Sequence, residues 1–200
     1  MTTQTVKKRL KTVIICRTNA PLVKALFDLI RKGRNIKARI VGRDVAKSLK
    51  DAIGEVLEFR RNCPITEFHV LLDSWIGAIR TKFKDTEGME DYVAEQEDMY
   101  SCLKVMSNQC DDAKGLFKLI DTYIIDQDDL SDDDQDVVVL CSGHRAKGLE
   151  WDRAIILRAD LFPHPNAESD ADLQQEYHIW YVALTRGKAE LWVCHVKRPD

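Results

Sequence analysis

Apolar residues change their period along this chain, and the changes separate its two ends from its middle. Val13 to Cys16 is a short unbroken apolar run, as expected for a strand covered on both faces. Asn19 then offers a helix N-cap, Pro21 is tolerated in a first turn, and Leu22, Val23, Leu26, Phe27 and Ile30 recur at helical steps until Gly33. Ile36, Ala38 and Ile40 alternate with Lys37 and Arg39, which predicts a second strand before Gly42. Strand, helix and strand in this order form the unit of a parallel α/β sheet.

From Val45 to Ile125 the period is helical almost throughout. Ile53, Val56, Leu57 and Phe59 mark one helix, and Val70, Leu71, Trp75, Ile76 and Ile79 a second; Tyr92 to Met106 and Leu116 to Ile124 give two more. Seven aspartates between Asp126 and Asp136 end the pattern. They lack the central glycine and terminal glutamate of an EF-hand, so they read as an acidic linker and not as a calcium loop. Strand-like runs resume at Val137 to Cys141 and Ala154 to Leu157, and Pro163 and Pro165 mark a loop. Ser169 or Asp170 can cap a helix whose Leu173, Tyr177, Trp180, Tyr181 and Leu184 form an expected buried stripe. Gly187 can stop it, and Glu190 to Val196 reads as a last strand. The expected organisation is an α/β parallel sheet made from residues 1–44 and 137–200, interrupted by a helical insertion at 45–136 that ends in the acidic linker.

Charge sharpens this division. Residues 1–50 carry 14 Lys or Arg against 2 Asp or Glu, whereas residues 51–136 carry 8 against 22. A basic lobe can face a phosphate backbone and an acidic one is repelled by it; mutual attraction of two solvated faces is the alternative. No apolar run is long enough to span a bilayer, and Lys7, Lys8 and Arg9 precede no signal-peptide core, so a soluble cytoplasmic protein with no membrane partner is expected. The six cysteines show neither C-x-x-C nor zinc spacing; Cys16, Cys141 and Cys194 lie in apolar strand-like runs, so the cysteines read as reduced core thiols, and no metal ligands are assigned.

Three segments carry chemistry. Thr12 to Asn19 reads T-V-I-I-C-R-T-N, Val137 to Trp151 reads V-V-V-L-C-S-G-H-R-A-K-G-L-E-W, and Tyr177 to Lys188 reads Y-H-I-W-Y-V-A-L-T-R-G-K. Arg17 directly follows a strand, where open α/β sheets place ligands. Arg186 follows a packed helix and is held at its rim, as an arginine that meets charge on a phosphoryl group must be. In order and spacing the segments resemble motifs IV, V and VI of the UvrD/Rep/PcrA family of superfamily 1 DNA helicases.

The resemblance implies a RecA-like second motor domain (2A), with the 2B insertion absent or reduced to the middle helices. It implies that Arg17 and Arg186 both reach the γ-phosphate of ATP and act in catalysis, that Glu150 holds the nucleotide sugar, and that Gly148 lets backbone approach. It assigns Ser142, His144, Arg145 and Lys147 to single-stranded DNA, around the start of a helix expected after the strand. Gly143 stands where a larger apolar residue is usual, which predicts a looser turn, and Gln175, Glu176, Tyr177 and His178 depart from the family's Glu-Glu-Arg-Arg. A salt-bridged arginine at a strand end remains the alternative for Arg17, and a helix-surface glutamate for Glu150.

Neither G-x-x-x-x-G-K-[ST] nor a strand-end acidic metal motif occurs. The chain is therefore expected to complete an ATP site whose phosphate loop and Mg2+ ligands belong to an N-terminal half, domain 1A, in cis or in trans, and the resemblance implies a helicase or translocase of 3′ to 5′ polarity. A non-enzymatic RecA-like DNA- or protein-binding module and a subunit of a helicase-nuclease repair complex are the alternatives.

Overall fold

β1 (Thr12–Cys16) is buried along nearly all its length, as its unbroken apolar run requires. It lies inside a six-stranded sheet with β2 (Lys37–Val41), β3 (Ile124–Ile125), β4 (Val137–Ser142), β5 (Trp151–Ile156) and β6 (Gly187–Val193). The order is β3-β2-β4-β1-β5-β6 and every pairing is parallel. All strands thus share one carboxyl edge and one amino edge. The computed structural model describes residues 10–32, 36–58, 60, 62–129 and 137–195. The expected helix stop at Gly33, the apolar Phe59, most of the acidic linker, the basic residues 7–9 and the strand end at Val196 lie outside the described residues.

Side chains alternate across the sheet. Ile14, Cys16, Ala38, Ile40 and Leu140 enter one core, together with α1 (Ala20–Lys32), α2 (Arg43–Leu57), α3 (Ile65–Phe83), α4 (Glu90–Ser107) and α5 (Ala113–Tyr123). Val13, Ile15, Val139, Cys141, Ala154 and Ile156 enter the other, covered by residues 143–150 and by α6 (Asp170–Leu184). Ile53, Phe68, Leu103 and Leu116 of the middle segment are fully buried in the same cluster as Ile14 and Ile40. Each such side chain contributes roughly 1.5–3 kcal/mol of burial, so the insertion helices are part of the sheet's own folding core.

Several elements differ from the sequence reading. α5 stops at Tyr123, and Ile124 and Ile125 form β3 beside β2, a strand too short to show a period. The buried line of α3 is Phe68, Leu72 and Ile76, while Val70 is 65% exposed. β6 begins at Gly187 and not at Glu190, because Gly187 already pairs with Trp151. Ala189 and Lys188 gave it no apolar signal. Four of the six cysteines are buried, and burial pushes the Cys141 thiol up to about 12. Cys194 is exposed, contrary to its expected place in the core.

Candidate functional site

The chain must travel from the end of β4 at the carboxyl edge to the start of β5 at the amino edge in only eight residues, 143–150. The two strands flank β1, and the register sets their ends about six residues apart along it, roughly 20 Å. Eight residues of helix would reach about 12 Å. A crossing helical throughout is thereby excluded, and the expected helix is replaced by a strap of turns across the sheet face, with one helix-like bond from the Ala146 N–H to the Ser142 carbonyl at 3.1 Å. Ala146 is fully buried beneath it and Leu149 half-buried. Gly148 closes the turns with φ of 82°, a conformation that disfavours a side chain, and nothing lies within 4 Å of where its Cβ would stand.

At the amino edge the strap meets the end of α6. Trp151 N–H donates to the Arg186 carbonyl at 3.0 Å, which locks the two segments together. The Arg186 guanidinium is then aimed by three hydrogen bonds. Nε donates to the Val182 carbonyl at 2.8 Å, Nη1 to the Leu149 carbonyl at 3.0 Å, and Nη2 to the Thr185 hydroxyl at 2.8 Å. These acceptors are all neutral, so they fix the group without cancelling its charge. Glu150, beside it, is exposed and bound by Lys188 at 2.9 Å. Contact with Lys188, then its charge, holds the Glu150 carboxyl below the ordinary glutamate value, with a smaller contribution from Arg186.

The carboxyl edge is built differently. Arg17 forms a two-point ion pair with Glu176 of α6, Nε to Oε2 at 2.7 Å and Nη2 to Oε1 at 2.6 Å. Glu176 is buried and also accepts from the His164 N–H at 2.9 Å. Burial raises its carboxyl, but the Arg17 and His164 hydrogen bonds outweigh this and hold it below the ordinary value. Burial, then the Arg17 charge, push His144 and His164 down, which keeps both rings neutral at pH 7. The expected Asn19 cap is supplied from across the fold instead. Asp98 of α4 accepts from the Asn19 and Ala20 N–H groups at 2.8 and 2.9 Å. Between these parts lies a cleft of about 330 Å³ whose α4 wall carries Asp91, Glu95 and Asp98.

Arg17 and Arg186 therefore stand at opposite edges. The β1–β5–β6 register places about eight residues of strand rise between them, roughly 25 Å. Their guanidiniums lie nearer than that, because Arg17 reaches Glu176 while Arg186 folds back to the Val182 carbonyl, six residues further along α6, about 9 Å of helix rise. Of the residues assigned to DNA, Ser142 and His144 lie at the carboxyl edge, Arg145 pairs with Asp44 of α2, and Lys147 is exposed on the strap. The Arg145 N–H also approaches the Ser142 hydroxyl at 3.4 Å.

A family model described as the UvrD-like helicase C-terminal domain matches residues 7–198. The chain belongs to that family. ATP-dependent DNA helicase PcrA of Staphylococcus aureus is 40% identical over 68 residues, which are 32% of this chain and 9% of that protein. A probable DNA helicase II homolog of Mycoplasma pneumoniae is 37% identical over 75 residues, 35% of this chain and 10% of that one. F-box DNA helicase protein 1 of Schizosaccharomyces pombe is 37% identical over 68 residues, 32% and 8%. The matches thus span about a tenth or less of the relatives' length.

In this UvrD-like domain, the residue that sequence reasoning missed is Glu176. It sat in a stretch read only as a departure from the family pattern. The face of α6 turned to the sheet holds Glu176 and Ala183 buried, with Ile179 and Trp180 half-buried, whereas Tyr177 and Tyr181 are 57% and 68% exposed. The expected stripe is rotated because Glu176 is drawn inward by Arg17. A polar position at i, with apolar ones at i+3, i+4 and i+7, was the available signal. Gly143 corrects a second expectation. A Cβ there would stand 2.6 Å from Ile179 Cγ2 and 3.3 Å from Phe162 Cε1, so the turn is tightly packed and not loose.

Proposed function

We propose that this chain is the second motor domain of an ATP-dependent DNA helicase or translocase of 3′ to 5′ polarity, completing an ATP site shared with a domain 1A in cis or in trans. The observation that carries this is Arg186, a guanidinium fixed by three neutral acceptors at the edge where Glu150 and Gly148 also lie. A fixed cation that reorganises little stabilises charge as it builds on a transferred phosphoryl group. Glu150 is open to solvent and can accept hydrogen bonds from sugar hydroxyls without changing protonation. Mg2+ would be held by the half that carries the phosphate loop; it neutralises phosphate charge there.

Arg17 takes a different part in this reading. Its charge is matched by Glu176 in a half-buried pair, so it seats α6 and the His164 loop, and the nucleotide edge is left to Arg186. Single-stranded DNA meets the carboxyl end of the strap through Ser142, His144, Arg145 and Lys147, of which His144 also lines the cleft with the acidic α4 wall. The strap then links the DNA-facing edge to the nucleotide-facing edge through eight packed residues, so a shift at one end is felt at the other.

Reconstitution tests the reading. The chain alone is expected to show no ATP turnover, and adding a Walker A half should give DNA-stimulated hydrolysis that Arg186→Ala removes. DNA-stimulated turnover by the purified chain alone would overturn it.

A further inference from the structure

Among the charged residues at the amino edge to which the resemblance gives no role is Lys188. Lys188 lies two residues beyond Arg186, and its ammonium contacts Glu150 Oε2 at 2.9 Å. The hydrogen bond from Trp151 N–H to the Arg186 carbonyl fixes the strap end and the start of β6 side by side, so Glu150, Arg186 and Lys188 form one cluster, with the Asp152 carboxylate near enough to act on Lys188. Once a carboxylate partner is drawn away, such a cluster offers an ammonium to a phosphate oxygen. Its two cations differ in freedom. Arg186 is held by three hydrogen bonds, whereas Lys188 and Glu150 are 60% and 55% exposed and form a weak, exchangeable pair on a flexible stem.

We propose that Lys188 is a nucleotide-binding residue that works by exchange: it holds Glu150 in the empty site and passes to the phosphate chain of ATP when the sugar hydroxyls take Glu150. This rests on the assignment of the amino edge to nucleotide. The Glu150 carboxylate is held beside Lys188 before ATP arrives, and the sugar and phosphate contacts become mutually dependent. A nucleotide lacking sugar hydroxyls leaves Lys188 on Glu150 and gains nothing from it.

Calorimetric titration of the chain joined to its Walker A half, with a non-hydrolysable ATP analogue and its 2′,3′-dideoxy counterpart, tests this without turnover. Lys188→Met should weaken the ribose analogue about tenfold, as loss of one charge-assisted contact does, and the dideoxy analogue less than about twofold. Equal affinity of variant and parent for the ribose analogue overturns the proposal, as does a tenfold loss with both analogues. Arg186→Ala and Glu150→Gln separate the two levels. If neither weakens binding, the nucleotide edge itself is misassigned; if both do and Lys188→Met does not, only the role of Lys188 fails.

Discussion

Two arginines that follow packed elements of one sheet have opposite surroundings. Arg17, at the carboxyl edge, is bound at two points by a buried carboxylate, and its charge is spent within the fold. Arg186, at the amino edge, is bound as firmly but only by carbonyls and a hydroxyl, and its charge is left for something outside. Neither sequence position nor exposure separates them, since both are partly buried. The chemistry of the acceptors does. An arginine held by neutral groups is positioned for an anion that arrives later, whereas one held by a carboxylate positions its neighbours.

Substitution should break this contrast most sharply in catalysis. In the reconstituted ATPase, Arg186→Ala is expected to lower kcat by about 100- to 1000-fold while leaving thermal unfolding near that of the parent. A loss confined to KM would mean that the guanidinium binds ground-state ATP and has no special role as charge develops. Glu176→Ala should do the reverse. It leaves Arg17 half-buried without its partner and should cost about 3 kcal/mol of stability in urea unfolding. If the variant is as stable as the parent, Arg17 has an alternative partner and the carboxyl edge is not organised by this pair.

The same pair sets an acid limit. Glu176 is held below the ordinary glutamate value of 4.5, so the unfolded chain binds its proton first. Its stabilisation is complete above the unfolded pKa and is lost as pH falls through the lower folded one. Glu176→Gln should therefore flatten the fall in stability below about pH 4.5, measured by urea titration at stepped pH. An unchanged acid slope would assign that fall to other carboxylates.

Smaller effects probe the packing and the strap. Gly143→Val should cost about 1–3 kcal/mol through the clash with Ile179, with part of it recovered by Ile179→Ala. Asp44→Asn frees Arg145 and should tighten single-stranded DNA binding about two- to threefold at low salt. Binding by the chain should fall with salt at a log–log slope of roughly −2 to −3, and Lys147→Ala should remove about 0.7 of it. A slope indifferent to Lys147 would place DNA elsewhere.

Much of the fold was legible because its strands are short apolar runs and its helices have clear stripes. The parallel α/β class, the middle helices and the place of Arg186 after α6 all followed from residue spacing. Three features did not. β3 is two residues long and carries no period of its own. The strap's basic, polar composition reads like a helix start, and only the crossing of about 20 Å in eight residues excludes a continuous helix. Glu176 was passed over because its role depends on a residue 159 positions away, which pattern within α6 does not reveal.

Hydrogen–deuterium exchange of the assembled enzyme, with and without a non-hydrolysable ATP analogue, tests the assignment of the two edges most directly. Protection should appear at residues 148–151 and 186–188, with little change at 17–19 or 164–167. Protection centred on 17–19, with none at 148–151, would place the nucleotide at the carboxyl edge and contradict the account.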